Sequence, residues 1–180
     1  RDFYDGTGEA ELESAFGVQA KIYRGRAETL RAHTQSPASW LDVGTGYGHF
    51  CLAASAGWPA TTFDGIDMTD GIDEAARRGW VRHGYRGMFP DLAPELAGRY
   101  DVVSMFHYLE HTREPAAELD AAAAVLKPGG HLLIEVPDPE WPMGRALKRF
   151  WMPWLQPQHQ HLVPIGNLKK ALADRGLTVL

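Results

Sequence analysis

Leu41-Asp-Val-Gly-Thr-Gly-Tyr-Gly-His-Phe50 is the stretch on which the fold turns. It opens within a short apolar run, Trp40-Leu-Asp-Val43, of the kind that forms a parallel strand buried on both faces. Glycines at 44, 46 and 48 follow, and they let a backbone turn sharply and approach a ligand without side-chain clash. His49 to Ala56 is helix-compatible, and Gly57 stands where a left-handed cap ends a helix. Strand, glycine turn and helix in that order offer unpaired amides and a positive dipole end to an anionic group. The spacing departs from the dinucleotide fingerprint, which wants a glycine three residues after its second; position 49 holds histidine.

The alternation continues outward. Ala60 to Ile66 reads as a second strand, and Thr69 or Asp70 can cap a short helix through Arg78, closed by Gly79. Tyr85 to Phe89 is a weak third strand and Tyr100 to Phe106 a strong fourth. Pro115 suits a first helical turn, and Ala116, Leu119, Ala123 and Leu126 recur at helical spacing. Lys127-Pro-Gly-Gly130 stops that helix, and His131 to Val136 is a fifth strand. Asn167 to Arg175 is a last helix capped by Gly176, with Thr178-Val-Leu180 beginning a sixth strand. Upstream, Glu9 to His33 is helix-compatible with breaks at Gly17 and Gly25, and Gln35-Ser-Pro37 punctuates it. The expected fold is α/β: a doubly wound, mostly parallel, Rossmann-like sheet with helices on both faces. Ligands in such sheets bind beyond the carboxyl ends of the strands, where the strand order reverses.

One domain accounts for 180 residues with 44% hydrophobic content. It divides into a helical N-terminal cap (1–37), a ligand-binding core (38–136), a proline-rich segment expected to be a substrate lid (137–164), and the last helix with the start of a sixth strand (165–180). A net charge of -5 argues against a nucleic-acid binder, which is usually basic. No apolar run reaches the ~18 to 20 residues that cross a bilayer, and Arg1 to Gly8 is polar, unlike a signal peptide. The lone cysteine, Cys51, forms no internal disulfide and suits a reducing compartment. A cytoplasmic monomer or homodimer without membrane contact is therefore expected.

Two further segments carry chemistry. In Gly65-Ile-Asp67 an acidic residue ends the second strand, 21 residues after Gly46, where a carboxylate can accept both hydroxyls of a ribose. Tyr100-Asp-Val-Val-Ser-Met-Phe-His-Tyr-Leu-Glu-His111 is a buried strand running into Phe106, His107 and Tyr108, which brings aromatic and titratable groups to the same edge of the sheet. The fourth strand lacks the Asn/Asp-Pro-Pro-aromatic element used for methylating base amino groups in DNA. His159 and His161 supply too few ligands for a metal, with no carboxylate or cysteine cluster beside them in sequence, so no metal is expected.

Leu41-Asp-Val-Gly-x-Gly-x-Gly, Gly65-Ile-Asp67, Tyr100-Asp-Val-Val-Ser, Leu109-Glu-His111 and Leu126-Lys-Pro-Gly-Gly130 occur in the order typical of class I S-adenosylmethionine-dependent methyltransferases. The chain resembles the group that includes ubiquinone-biosynthesis O-methyltransferases and many natural-product enzymes, over about residues 38 to 177. Pro157-Gln-His-Gln-His-Leu162 is similar to that group's His-x-His-Phe-Phe-Ser tail, with Pro164 at the place of the usual serine. The resemblance implies S-adenosylmethionine as cofactor and a small-molecule acceptor, with transfer to a hydroxyl oxygen. It implies Asp42 supporting the glycine loop, Gly44, Thr45 and Gly46 along the methionine moiety, and Asp67 on the ribose. Met68 packs on the adenine, Met88 and Phe89 form its other wall, and Phe106 lies near the sulfonium. His107 is the first candidate for a general base and His111 the second. It also implies two more strands, the seventh antiparallel, so the fifth strand is left with an open edge at Leu180. A continuation of roughly 20 to 50 residues is expected. The rival readings are a cofactor-binding module that has lost catalysis and a nicotinamide-dependent oxidoreductase. The glycine spacing and Leu126-Lys-Pro-Gly-Gly130 speak against the second.

Overall fold

The computed structural model describes residues 9–34, 36–154 and 158–180. Gln35 and Pro157 of the segments quoted above, and residues 1–8, lie outside the described residues. Strands β1 (Ser39–Val43), β2 (Thr62–Asp67), β3 (Gly84–Arg86), β4 (Tyr100–Phe106) and β5 (Leu126–Glu135) form one sheet in the order β3-β2-β1-β4-β5. All four pairings are parallel. The helices are α1 (Glu9–Glu28), α2 (His49–Ser55), α3 (Gly71–Arg77), α4 (Phe89–Leu96), α5 (Pro115–Val125), α6 (Pro142–Leu147) and α7 (Ile165–Ala173).

Side chains alternate across a strand, and this sorts the core into two layers. Leu41, Val43, Val103 and Met105 face α4 and α5, where Phe89, Ala93, Leu96, Ala122 and Val125 meet them. Trp40 and Val102 face the other way, against Ala27 of α1, Phe50 and Cys51 of α2, and Ile72 and Ala75 of α3. Helices therefore cover both faces, as the apolar character of β1 and β4 predicts. The strand order reverses between β1 and β4, which puts the switch point at the glycine turn.

Several expectations are corrected. Helix α1 runs unbroken through Gly17 and Gly25, neither of which has a positive φ. Each helical glycine costs ~1 kcal/mol against alanine, and docking on α2, with Ala27 and Leu30 buried, outweighs it. The third strand is shorter than Tyr85 to Phe89, because Phe89 already opens α4, a helix the periodicity missed. Pro90 presets the helical φ of that first turn. The fifth strand begins earlier, at Leu126: Lys127-Pro-Gly-Gly130 lies inside β5, and the pairing to β4 slips between Tyr100 and Val102 to accommodate it. Residues 178–180 form no strand, so β5 is paired to β4 alone among the described residues. No helix of the described residues is long and apolar enough to cross a membrane.

Candidate functional site

A cavity of about 530 Å³ opens at the switch point. Its floor is the turn after β1, including Gly44, Thr45 and Gly46, and the end of β4, Phe106 and His107. Its outer wall comes from α1 through Ile22, Tyr23 and Arg26. The turn is locked by several independent contacts. Gly44, Gly46 and Gly48 all have positive φ, at 78°, 53° and 81°. A methyl group at Gly44 would stand 2.7 Å from Cδ2 of Tyr108, and one at Gly48 would stand 2.8 Å from Cβ of Ala75. Thr45 Oγ1 donates to the Asp42 carbonyl (2.6 Å) and accepts from the Ile66 N–H (3.1 Å), tying the turn to β2.

Asp42 sits beneath this turn, 4% exposed. Ser104 Oγ donates to its Oδ1 at 2.6 Å and itself accepts from Trp40 Nε1 at 2.9 Å. Burial pushes the Asp42 carboxyl up to about 7, against the pull of Ser104 and Thr45. Asp67 ends β2, half-buried, and braces two loops. Its Oδ2 accepts from the Gly46 N–H (2.8 Å), and its Oδ1 accepts from the N–H and the hydroxyl of Thr69 (2.8 and 2.7 Å). A carboxylate offers about four lone-pair sites, and three are taken. A diol bound through both hydroxyls must therefore displace Thr69 Oγ1. Thr69 spends its hydroxyl on Asp67, and Asp70, at the N-terminus of α3, makes no side-chain cap bond.

Met68 and Met88, at the ends of β2 and β3, are 64% and 37% exposed and present apolar surface. Phe89 does not: it is completely buried in the α4–α5 layer, so the expectation of a ligand wall there is corrected. Full burial of such a ring contributes ~1.5 to 3 kcal/mol, and the core takes it.

The histidines take different positions around the cavity. His107 lines the cavity in a left-handed backbone conformation, φ 51°. Its Nδ1 lies 3.1 Å from Glu110 Oε1 and its Nε2 lies 2.9 Å from Glu135 Oε1. Neither glutamate lines the cavity. The Glu110 contact, opposed by burial, holds the imidazole above its ordinary range, which favours the cation. Both ring nitrogens are turned to carboxylates, so in this geometry neither is presented to an acceptor in the cavity. His111 is off the cavity wall, with Nδ1 2.9 Å from the Gln158 carbonyl. The sequence also placed no carboxylate near His159, but the fold brings Glu110, His111 and His159 together, one donor atom of each within 4.8 Å of the others. Such a grouping can hold a cation. His159 Nδ1 lies 2.7 Å from the Pro153 carbonyl, while His161 turns to the Arg113 carbonyl at 3.2 Å.

Sequence reading missed α1 as a wall of the cavity. Arg26 donates through Nε to Glu135 Oε2 (2.7 Å) and through Nη2 to Glu135 Oε1 (2.5 Å). Its guanidinium lies 5.2 Å from the Phe106 ring centre and 5.7 Å from that of Tyr23. The sequence could not announce this, since α1 has a weak apolar stripe and Glu135, the partner of Arg26, lies 109 residues away. Among the described residues, none of the segment expected as a lid lines this cavity. Trp141, Phe150 and Trp154 are exposed, Trp151 is buried, and Arg145, Lys148, Arg149 and Trp154 border a separate hollow of about 600 Å³.

The order β3-β2-β1-β4-β5, the glycine turn at the switch point and the acidic end of β2 define a methyltransferase-type Rossmann-like domain. Solved structures share the fold. A SAM-dependent methyltransferase from Archaeoglobus fulgidus superposes with a TM-score of 0.70 at 19% identity, covering 94% of this chain and 74% of that one. A SAM-dependent methyltransferase from Thermotoga maritima gives 0.67 at 20% identity, covering 93% and 76%. Residues 18–180 match the methyltransferase domain family, and the chain belongs to it. Among similar curated proteins, the ubiquinone biosynthesis O-methyltransferase of Bordetella avium is 40% identical over 143 residues, 68% of this chain and 58% of that protein. Its counterpart in Vibrio parahaemolyticus is 38% identical over 99 residues, 52% and 41%. The matched region thus spans roughly two fifths to three fifths of those relatives' length.

Proposed function

We propose that the chain is an S-adenosylmethionine-dependent methyltransferase, working in the cytoplasm on a small-molecule acceptor at a hydroxyl oxygen. The observation that carries this reading is the switch-point cavity, with a left-handed glycine turn as its floor and Asp42 and Asp67 fastening that turn from either side. A volume of about 530 Å³ is in the range of small-molecule sites. The residues suit the cofactor: Gly46 has open space where a side chain would be, Met68 and Met88 present apolar surface for a purine, and Asp67 retains acceptor capacity. Phe106 supplies a ring face of the kind that attracts a cation. When bound, S-adenosylmethionine supplies an electrophilic methyl group on a sulfonium, already a good leaving group.

The protein's task is then alignment and exclusion of water. Tyr23 and Ile22 of α1 close the outer side, and Phe50 and Phe106 form an apolar backing with ring centres 4.8 Å apart. The hydroxyl reading rests on the likeness to O-methyltransferases. Calorimetric titration with S-adenosylmethionine, followed by a screen of hydroxylated aromatic acceptors for release of S-adenosylhomocysteine, tests it. Micromolar binding with turnover is expected. Absence of binding would sink the reading, and binding without turnover of any acceptor would favour a module that has lost catalysis.

A further inference from the structure

Outside the cavity, the fold gathers three metal-ligating side chains from two segments distant in sequence. Glu110 and His111 belong to the 3-10 turn Leu109–His111, and His159 comes from the proline-rich segment 137–164. One donor atom of each lies within 4.8 Å of the other two, and none of the three residues lines the cavity. Glu110 is 1% exposed; its Oε1 meets His107, and its Oε2 is buried with no hydrogen-bond partner among the described residues. An orphaned carboxylate oxygen in the interior is destabilising, and a cation beside it relieves this. The two rings are set for the same task. His111 Nδ1 lies 2.9 Å from the Gln158 carbonyl, and His159 Nδ1 lies 2.7 Å from the Pro153 carbonyl. A carbonyl only accepts, so each Nδ1 carries the proton and the lone pair of the neutral ring sits on Nε2. A backbone carbonyl at the far nitrogen is how a metal-bound histidine is held in one tautomer and one orientation. The rings stand edge to face, with centres 4.7 Å apart. The N–H groups of Gln160 and His161 donate to the Glu110 carbonyl (2.8 and 3.2 Å), which ties the two segments together through the backbone.

We propose that Glu110, His111 and His159 form a site for a divalent cation of the zinc type, which fastens segment 158–161 to the turn after β4. Two imidazoles and one carboxylate are a zinc donor set, with a fourth position left to water. Mixed nitrogen and oxygen donors disfavour magnesium and calcium, which take oxygen ligands. Bonds of ~2.0 to 2.2 Å in tetrahedral geometry would draw the donor atoms to ~3.3 Å from one another. From separations of up to 4.8 Å this is a closure of at most about 1.5 Å, within reach of side-chain rotation. The exposed His111 and half-buried His159 have room to make it, while the buried Glu110 stays in place. The site stands independently of the methyl-transfer reading.

The probe is zinc chloride, titrated calorimetrically into the untagged full chain after stripping with EDTA. One ion per chain is expected, at micromolar affinity or tighter, and magnesium in about a hundredfold excess should not displace it. Zinc at about a hundred times its dissociation constant should raise the melting temperature by ~5 to 10 °C. His111→Ala and His159→Ala should each weaken binding by at least about tenfold and lose that rise. Without zinc, both variants should melt within ~4 °C of the wild type, since each ring gives up a single bond to a carbonyl. His161→Ala is the control: its ring turns to the Arg113 carbonyl, and its zinc affinity should stay within about twofold of the wild type. Absence of zinc binding to the wild type, displacement by magnesium at equal concentration, or a His159→Ala protein that binds zinc as tightly as the wild type overturns the proposal.

Discussion

Asp67→Asn is the substitution whose outcome the structure constrains most closely. The two carboxylate oxygens serve donors on opposite sides, Gly46 N–H on Oδ2 and Thr69 N–H with its hydroxyl on Oδ1. Asparagine has the same shape but one acceptor oxygen; its NH₂ must face either the Gly46 or the Thr69 donor, and both loops cannot be held. A hydrogen bond to a charged group is worth ~1.5 to 3 kcal/mol. Because Asp67 is only half-buried, water recovers part of this, and a loss of ~1 to 2 kcal/mol is expected. For a domain of this size each kcal/mol moves the melting temperature by ~2 to 4 °C, so a fall of ~2 to 8 °C follows. The same change loosens the turn that floors the cavity and removes a ribose acceptor, so affinity for S-adenosylmethionine should drop by about tenfold to a hundredfold. Thermal melting and isothermal calorimetry on one preparation measure both. A variant that melts within about one degree of the wild type with an unchanged dissociation constant refutes the bracing role and the ribose role together.

Two other perturbations separate local effects. Gly44→Ala combines φ 78° with a methyl group 2.7 Å from the Tyr108 ring, and should lose ~2 kcal/mol or more of stability, whereas Gly46→Ala has open space and should lose ~1 kcal/mol from φ alone; urea midpoints that rank them the other way would contradict the packing. Burial raises the Asp42 carboxyl from its ordinary 3.8 to about 7, so its contribution to stability is complete below pH ~4 and is lost as pH rises from there to ~7. Asp42→Asn removes this dependence, and urea denaturation at pH 5 and pH 8 should show the wild type losing more stability than the variant over that interval; equal losses would rule out the raised pKa.

Some of the site could be read locally because its causes are local. The glycine turn declares itself by three residues that tolerate positive φ within five positions, and Asp67 by its place at the end of an apolar strand. Helix α4 was not legible, since Phe89 continues the apolar character of the residues before it and only burial shows which element owns it. The surroundings of His107 were not legible for a related reason: a histidine after a strand looks available until Glu135, 28 residues on, is found at its Nε2.

By itself the sequence determined the five strands and most of the helices between them, the parallel sheet and the position of the ligand turn, because side-chain periodicity and glycine conformational freedom act over a few residues. The tertiary structure alone decided which side chains share the cavity. Arg26, Glu135, His107 and Glu110 form one chain of charge across α1, β5 and the end of β4, and no spacing in sequence encodes a contact between residues 26 and 135. Such contacts arise when apolar burial closes helices over the sheet and leaves each buried charge to find a partner from whatever element lies opposite.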